Sequence, residues 1–221
     1  MEISLDFHGP VAVLTWNDGQ NRLNVDSLGR INELLDEIQR KEGPLSLVLT
    51  GVGKFFSNGL DLDRFGHDAT EFLATLIELK RTVGRLMLFP CYTVAVFNGH
   101  VFAGGALLGC GFDYRIMRED RGYWCMNEAE IGLALDKQLW AIIRHRLPKA
   151  TAVDAATTAR RFSGPDALAA GIVEATAGED DLMARALEVA ERYASLHRPT
   201  LAHHKLLAHG EVAASLGFAE S

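Results

Sequence analysis

No apolar run in the 221 residues approaches the about 18 needed for a membrane-spanning helix, so nothing in the pattern points to a bilayer. Basic residues are in deficit. The 22 Lys and Arg stand against 29 Asp and Glu, a formal net charge of −7, which offers no general attraction to nucleic acid or anionic lipid. Cysteine is scarce: Cys91, Cys110 and Cys125 are odd in number, sit among apolar neighbours and lack metal-like spacing. That excludes a disulfide framework and reads as reduced, buried thiols. The histidines assemble no ligand set, since His203, His204 and His209 share a polar helical stretch while His67 and His100 stand alone; no metal site is expected. No Ser-His-Asp arrangement stands out, and Ser57 reads as a turn residue. The start, Met1 to Asp6, lacks the basic and apolar regions of a secretory signal, and Phe218-Ala219-Glu220-Ser221 does not resemble a peroxisomal address. The expectation is a cytoplasmic protein.

What is present is enough apolar residue, 48% of the chain, to build one substantial core at this length. Ile3 to Phe7 and Val11 to Trp16 flank His8-Gly9-Pro10 and read as a hairpin. Val25 to Gln39 places Leu28, Ile31, Leu34, Leu35 and Ile38 at helical spacing. Leu45 to Thr50 and Tyr92 to Phe97 are short apolar runs suited to buried strands, with an amphipathic helix within 69–88 between them. A loop is expected over Gly51 to Asp61, a small-residue helix over Ala103 to Cys110, and strands over Tyr114 to Met117 and Tyr123 to Met126. From Leu139 onward the pattern is mostly helical. Alternating strands and helices with a helical tail indicate an α/β protein. With no linker, repeat or low-complexity tract, the expected division is a core over 1–196 and a short helical extension over 197–221.

Three segments carry chemistry. Strand Leu45–Thr50 leads to Phe56-Ser57-Asn58-Gly59-Leu60-Asp61-Leu62, where Gly59 permits a backbone turn that lets the Leu60 amide face a cavity. Strand Tyr92–Phe97 leads through Asn98-Gly99 to Ala103-Gly104-Gly105, opening a helix whose first amides are free and whose dipole favours negative charge. Taken singly, the first reads as an ordinary glycine turn, and the second is equally well explained by tight helix packing through small residues. The third segment is Met126-Asn127-Glu128-Ala129-Glu130-Ile131-Gly132-Leu133. A carboxylate in apolar company has a raised pKa and makes a better proton shuttle. Spacing alone does not separate Glu128 from Glu130 or Asp136.

These segments, with Phe112-Asp113-Tyr114-Arg115-Ile116, keep the order and spacing of the crotonase superfamily, the enoyl-CoA hydratase/isomerase family, over roughly residues 3 to 175. The wording Phe-Phe-Ser-Asn-Gly at 55–59 and Asp120-Arg121-Gly122 is similar to that of the Δ3,Δ2-enoyl-CoA isomerases. The resemblance implies a crotonase fold, a spiral of repeated ββα units with a helical C-terminal region, here apparently shortened. It implies an oxyanion hole from the amides of Leu60 and Gly104 and a catalytic acid at Glu128. Gly59, Asp61, Gly105, Leu107 and Asp136 fall in the substrate-binding set, and Lys54 and Arg22 are candidate partners for CoA phosphates. CoA is part of the substrate and no separate cofactor is implied. A homotrimer or dimer of trimers is the assembly implied.

The hydratases of the family carry a second glutamate where this chain has Leu107. Hydration needs two carboxylates to hold and split a water molecule; a 1,3-proton shift needs one. The expected reaction is therefore conversion of a 3-enoyl-CoA to a 2-enoyl-CoA. Asp136 keeps a dienoyl-CoA isomerase in contention, although it equally suits an N-cap for the next helix. A hydratase of the same family and a non-catalytic acyl-CoA binding protein are also compatible with these residues.

Overall fold

Strands β1 (Ile3–His8) and β2 (Val11–Trp16) form the expected antiparallel hairpin, with Ile3 opposite Trp16 and His8 opposite Val11. The structure is a computed structural model that describes residues 2–66 and 68–218. His67 and the 219–221 end of the C-terminal extension lie outside the described residues.

Helix α1 (Val25–Gln39) starts at a capping box in which Asn24 and Ser27 satisfy each other's amides, and it buries the five apolar residues picked out by spacing. Three units of similar build follow. In the first, β3 (Ser46–Gly51) leads to β4 (Phe55–Ser57) and then α2 (Leu62–Phe65) and α3 (Ala69–Met87). In the second, β5 (Tyr92–Phe97) leads to β6 (His100–Phe102) and α4 (Gly104–Gly109). In the third, β7 (Tyr114–Arg118) leads to β8 (Trp124–Cys125) and α5 (Glu128–Ile131). The chain continues through α6 (Lys137–Arg146), α7 (Lys149–Thr158), α8 (Gly164–Ala169), β9 (Ala175–Ala177), α9 (Glu179–Ala194) and α10 (Arg198–Ser215).

The first strand of each unit joins a six-stranded sheet of order β1-β2-β3-β5-β7-β9, parallel except for β1. The second strand of each unit joins a smaller parallel sheet, β4-β6-β8. Repetition of strand, strand, helix winds the chain into the spiral that the resemblance implies. Both faces of the large sheet are covered, which is why its strands read as continuous apolar runs. Val11, Val13, Val48, Val94, Val96 and Ile116 pack on Leu182, Ala186 and Ala190 of α9, whereas Leu14, Leu47, Leu49, Ala95 and Phe97 enter the main core.

The structure corrects the sequence reading at its shortest elements. Gly51 to Asp61 contains β4, and β6, β9, α2 and α5 appear where none is predicted; the strand expected over Tyr123–Met126 shrinks to two residues. Three-residue strands carry too little pattern to show a period, and their pairing comes from neighbours far along the chain. The C-terminal helices are firmly seated. α10 packs against α3 and α6, and its buried Lys205 donates to the carbonyls of Phe89 and Cys91 and pairs with Asp113. Cys91, Cys110 and Cys125 are buried and free. Among the described residues no helix is long and apolar enough to cross a membrane.

Candidate active site

The spiral brings the ends of β4, β6 and β8 side by side, and each runs into one of the three chemistry-bearing segments. After β4, Gly59 adopts φ +80°. The Ser57 hydroxyl accepts from the Gly59 amide (3.2 Å) and donates to the Asn21 carbonyl (2.7 Å). The amide of Leu23 donates to Gly59 O at 2.8 Å, and that of Asp61 donates to Leu23 O at 2.9 Å. These bonds bracket Leu60, whose own amide donates to no acceptor among the described residues. After β6, Ala103 sits at φ +47°, ψ −115°, anchored by its amide to Cys125 O at 2.9 Å. That sharp turn starts α4 at Gly104, and a first-turn amide has no intrahelical acceptor.

The two turns touch. A Cβ added at Gly59 would lie 2.9 Å from Phe102 O, 3.1 Å from Ala103 Cβ and 3.2 Å from Gly104 N. Gly105 is pressed on the first turn as well, where a Cβ would come within 2.7 Å of Ser57 Cβ. Glycine at 59 and 105 is therefore a condition of close approach, and Leu60 and Gly104 both line one cavity of about 280 Å³.

Glu128 opens α5 beyond β8 and lines the same cavity. The residue is buried, with 5% exposure, and Oε2 has no hydrogen-bond partner among the described residues. Burial pushes its carboxyl up to about 7, against a smaller downward pull from a backbone hydrogen bond. Leu107 of α4, 2% exposed, supplies an apolar stretch of the wall. Phe72, Leu76 and Leu79 from α3 and Ile131, Leu133 and Leu139 continue it. A cavity that is apolar apart from a few convergent polar groups is the usual form of a small-molecule site.

The remaining candidates are placed differently. Glu130 is exposed and paired with Arg161 at 2.9 Å, so of the three acids left open by spacing only Glu128 lines the cavity. Asp136 lies outside the lining. It caps α6 by accepting from the Gln138 and Leu139 amides and pairs with Lys80. Burial raises its carboxyl, but the Lys80 ammonium and those amides outweigh this and hold it below the usual range. Replacing Asp136 by Ala should lower stability by about 1 kcal/mol, the ordinary loss of an N-cap, while kcat stays within about twofold; thermal melting and steady-state rates check this together. Arg22 does line the cavity, yet its guanidinium pairs with Asp61 (3.1 Å) and with Asp63. Lys54 is exposed, outside the lining, with its ammonium 5.5 Å from the Phe55 ring centre.

Comparison with known proteins decides the family. The model of the family described as enoyl-CoA hydratase/isomerase matches residues 6–213. The chain belongs to the enoyl-CoA hydratase/isomerase family. Among its relatives is the peroxisomal enoyl-CoA delta isomerase 2 of Arabidopsis thaliana, 30% identical over 205 residues, covering 87% of this chain and 85% of that protein. A putative enoyl-CoA hydratase of Thermus thermophilus is 33% identical over 195 residues, covering 84% of this chain and 75% of that one. The solved structure of a probable enoyl-CoA hydratase from Mycobacterium tuberculosis superposes with a TM-score of 0.91 at 27% identity, covering 97% of this chain and 91% of that chain.

For this enoyl-CoA hydratase/isomerase family member, two lining features escape sequence reasoning. The apolar wall from α3 is one: Phe72, Leu76 and Leu79 follow a helical spacing that signals burial without saying against what. The other is Asn127, whose Oδ1 is excluded from solvent and has no hydrogen-bond partner among the described residues. Its residue type suits an N-cap, and only the structure reveals that it caps nothing.

Proposed function

We propose that the protein is an enoyl-CoA isomerase that moves the double bond of a 3-enoyl-CoA to the 2-position with Glu128 as sole acid–base group. The observation that carries this reading is a single buried carboxyl, with Oε2 unpartnered among the described residues, lining a cavity whose wall at residue 107 is leucine. The Glu128 carboxylate takes a proton from C2, and the electron pair left behind spreads over C4, C3, C2 and the thioester oxygen as a dienolate. The amides of Leu60 and Gly104 receive that oxygen's charge; a preorganised donor of this kind lowers the barrier by about 2.7–4 kcal/mol. The same carboxyl, now protonated, returns the proton at C4 and the double bond settles between C2 and C3. Every step is a proton transfer, so CoA enters only as part of the substrate.

Hydration fits the cavity less well. A water molecule attacking C3 needs a second acceptor or donor opposite Glu128, and the Leu107 side chain has neither. The dienoyl reading loses its second acid, because Asp136 is committed to Lys80 and the α6 cap. A non-catalytic binder would gain nothing from keeping a buried acid in an apolar-walled cavity with its pKa near neutrality.

A base must be ionised to act. With the Glu128 carboxyl pushed up to about 7, kcat/KM should rise with pH through a midpoint near 7 and flatten above it, as read from a pH–rate profile of the free enzyme. The reaction itself is tested by incubating the purified protein separately with 3-hexenoyl-CoA and 2-hexenoyl-CoA, following double-bond position and water addition. Interconversion of the two supports the isomerase; predominant 3-hydroxyhexanoyl-CoA overturns it.

A further inference from the structure

One face of α3 forms a wall of the cavity over successive turns. Phe72, Leu76 and Leu79 lie at helical spacing, and all three line it. Leu79 marks the thioester end, since a Cβ added at Gly104 would lie 3.4 Å from Leu79 Cδ2. Phe72 marks the far end. The step from Leu79 to Phe72 covers about 10 Å of helix axis, and an extended hydrocarbon chain advances a little over an ångström per carbon. A chain whose carbonyl sits on the Gly104 amide therefore meets the Phe72 ring at roughly its eighth or ninth carbon. The polar lining residues Arg22 and Asn58 adjoin the paired Leu23 and Leu60, so the α3 stripe is the part of the wall that suits hydrocarbon.

A second hollow begins where the first stops. It measures about 320 Å³, and Leu62, Phe65, Ala69 and Phe72 are among its walls. Leu62 and Phe72 line both spaces. Ala69 lies one turn before Phe72 on the same face of α3, so the second hollow continues the direction of the first. That turn adds about 4–5 Å, the reach of about four more carbons. The Phe72 ring stands edge-on against Phe65, with centroids 5.7 Å apart and planes at 75°, a favourable aromatic arrangement that holds it in place. The proton shift between C2 and C4 needs neither the ring nor the second hollow.

We propose that Phe72, together with Leu62, is a partition that sets the acyl length: chains that end at the ring are accepted, and longer ones gain the second hollow only when the ring is removed. This rests on the isomerase reading and narrows its substrate class to medium-chain 3-enoyl-CoA thioesters. Each methylene laid along the stripe adds favourable transfer out of water, whereas one driven against a packed ring adds none.

The experiment compares kcat/KM for 3-hexenoyl-, 3-octenoyl-, 3-decenoyl- and 3-dodecenoyl-CoA with wild type, Phe72→Ala and Leu73→Ala. Leu73 is the adjacent residue, 56% exposed, and lines neither space. Wild type should gain about tenfold from hexenoyl to octenoyl and then level off or fall by dodecenoyl. In Phe72→Ala the rise should continue, so that its dodecenoyl-to-octenoyl ratio exceeds that of wild type by about tenfold or more, through KM and with kcat little changed. Leu73→Ala should keep the wild-type profile. A wild-type profile with no break between octenoyl and dodecenoyl, a break that persists in Phe72→Ala, or one that moves in Leu73→Ala overturns the proposal. Calorimetric affinities for the saturated hexanoyl-, octanoyl-, decanoyl- and dodecanoyl-CoA read the same partition without turnover. The same break there, shifted by Phe72→Ala in a protein that performs no isomerisation, upholds the partition and rejects the isomerase reading; isomerisation with no break does the reverse.

Discussion

Glu128→Gln should lower kcat/KM for 3-hexenoyl-CoA by roughly 10²–10⁴-fold or more, the largest loss expected of any single side-chain change in this protein. Glutamine fills the same volume but accepts no proton from C2, and no other cavity-lining carboxyl is free to substitute, because Asp63 is held by Arg22. Acyl-CoA binding should survive, since the amides of Leu60 and Gly104 and the apolar wall are untouched. Stability separates loss of chemistry from loss of fold. The Glu128 carboxyl goes from an ordinary value of 4.5 to about 7 on burial, so the folded state binds this proton more tightly than the unfolded chain. Its contribution is most favourable below 4.5 and is lost as pH rises through 7. The uncharged glutamine escapes that loss. The melting temperature of the variant relative to wild type should therefore rise between about pH 5 and pH 8, as thermal scans at the two values will show.

The second large effect is Gly59→Ala. Two penalties coincide there: a left-handed backbone at φ +80°, and a methyl placed 2.9 Å from Phe102 O and 3.2 Å from Gly104 N. The turns must separate to admit it, and both proposed oxyanion donors move. A loss of about 10²–10³ in kcat is expected, the cost of removing one such donor. Gly53→Ala is the control. Gly53 has φ +73° with nothing within 4 Å of an added Cβ, so alanine there incurs the strain of about 1–2 kcal/mol without moving either turn. Gly53→Ala should lose stability and keep kcat, and Gly59→Ala should lose both. Steady-state kinetics with thermal melts on the pair reads the difference.

How much of the molecule is legible in its sequence follows physical lines. The long elements are. Leu28 to Ile38 in α1, the α3 pattern and the apolar runs of β3 and β5 each repeat over enough residues to show a period, and burial on both sheet faces removes ambiguity. The second strands of the first two units are not, since β4 and β6 have three residues each and exist by pairing with their neighbours; β8 is foreseen within Tyr123–Met126, though only two residues of it pair. For the site, the glycine-bearing segments locate Leu60, Gly104, Leu107 and Glu128, which the structure gathers around one cavity. Residue type alone does not place the charged groups. Lys54 and Arg22 are both candidates for phosphates by type; the first lies outside the lining, and the second lines the cavity while paired with Asp61 and Asp63. Asp136 reads as a second acid or as a cap, and the fold makes it a cap. The buried, unpaired state of the Asn127 carboxamide oxygen depends on a helix of four residues that no periodicity announces.

A single turnover of 3-hexenoyl-CoA deuterated at C2 puts the one-carboxyl mechanism to its most direct test. If Glu128 alone carries the proton, mass and NMR analysis of the early product will find 2-hexenoyl-CoA with deuterium at C4. Oxygen added at C3, or a 2-enoyl product with no label at C4, would contradict it.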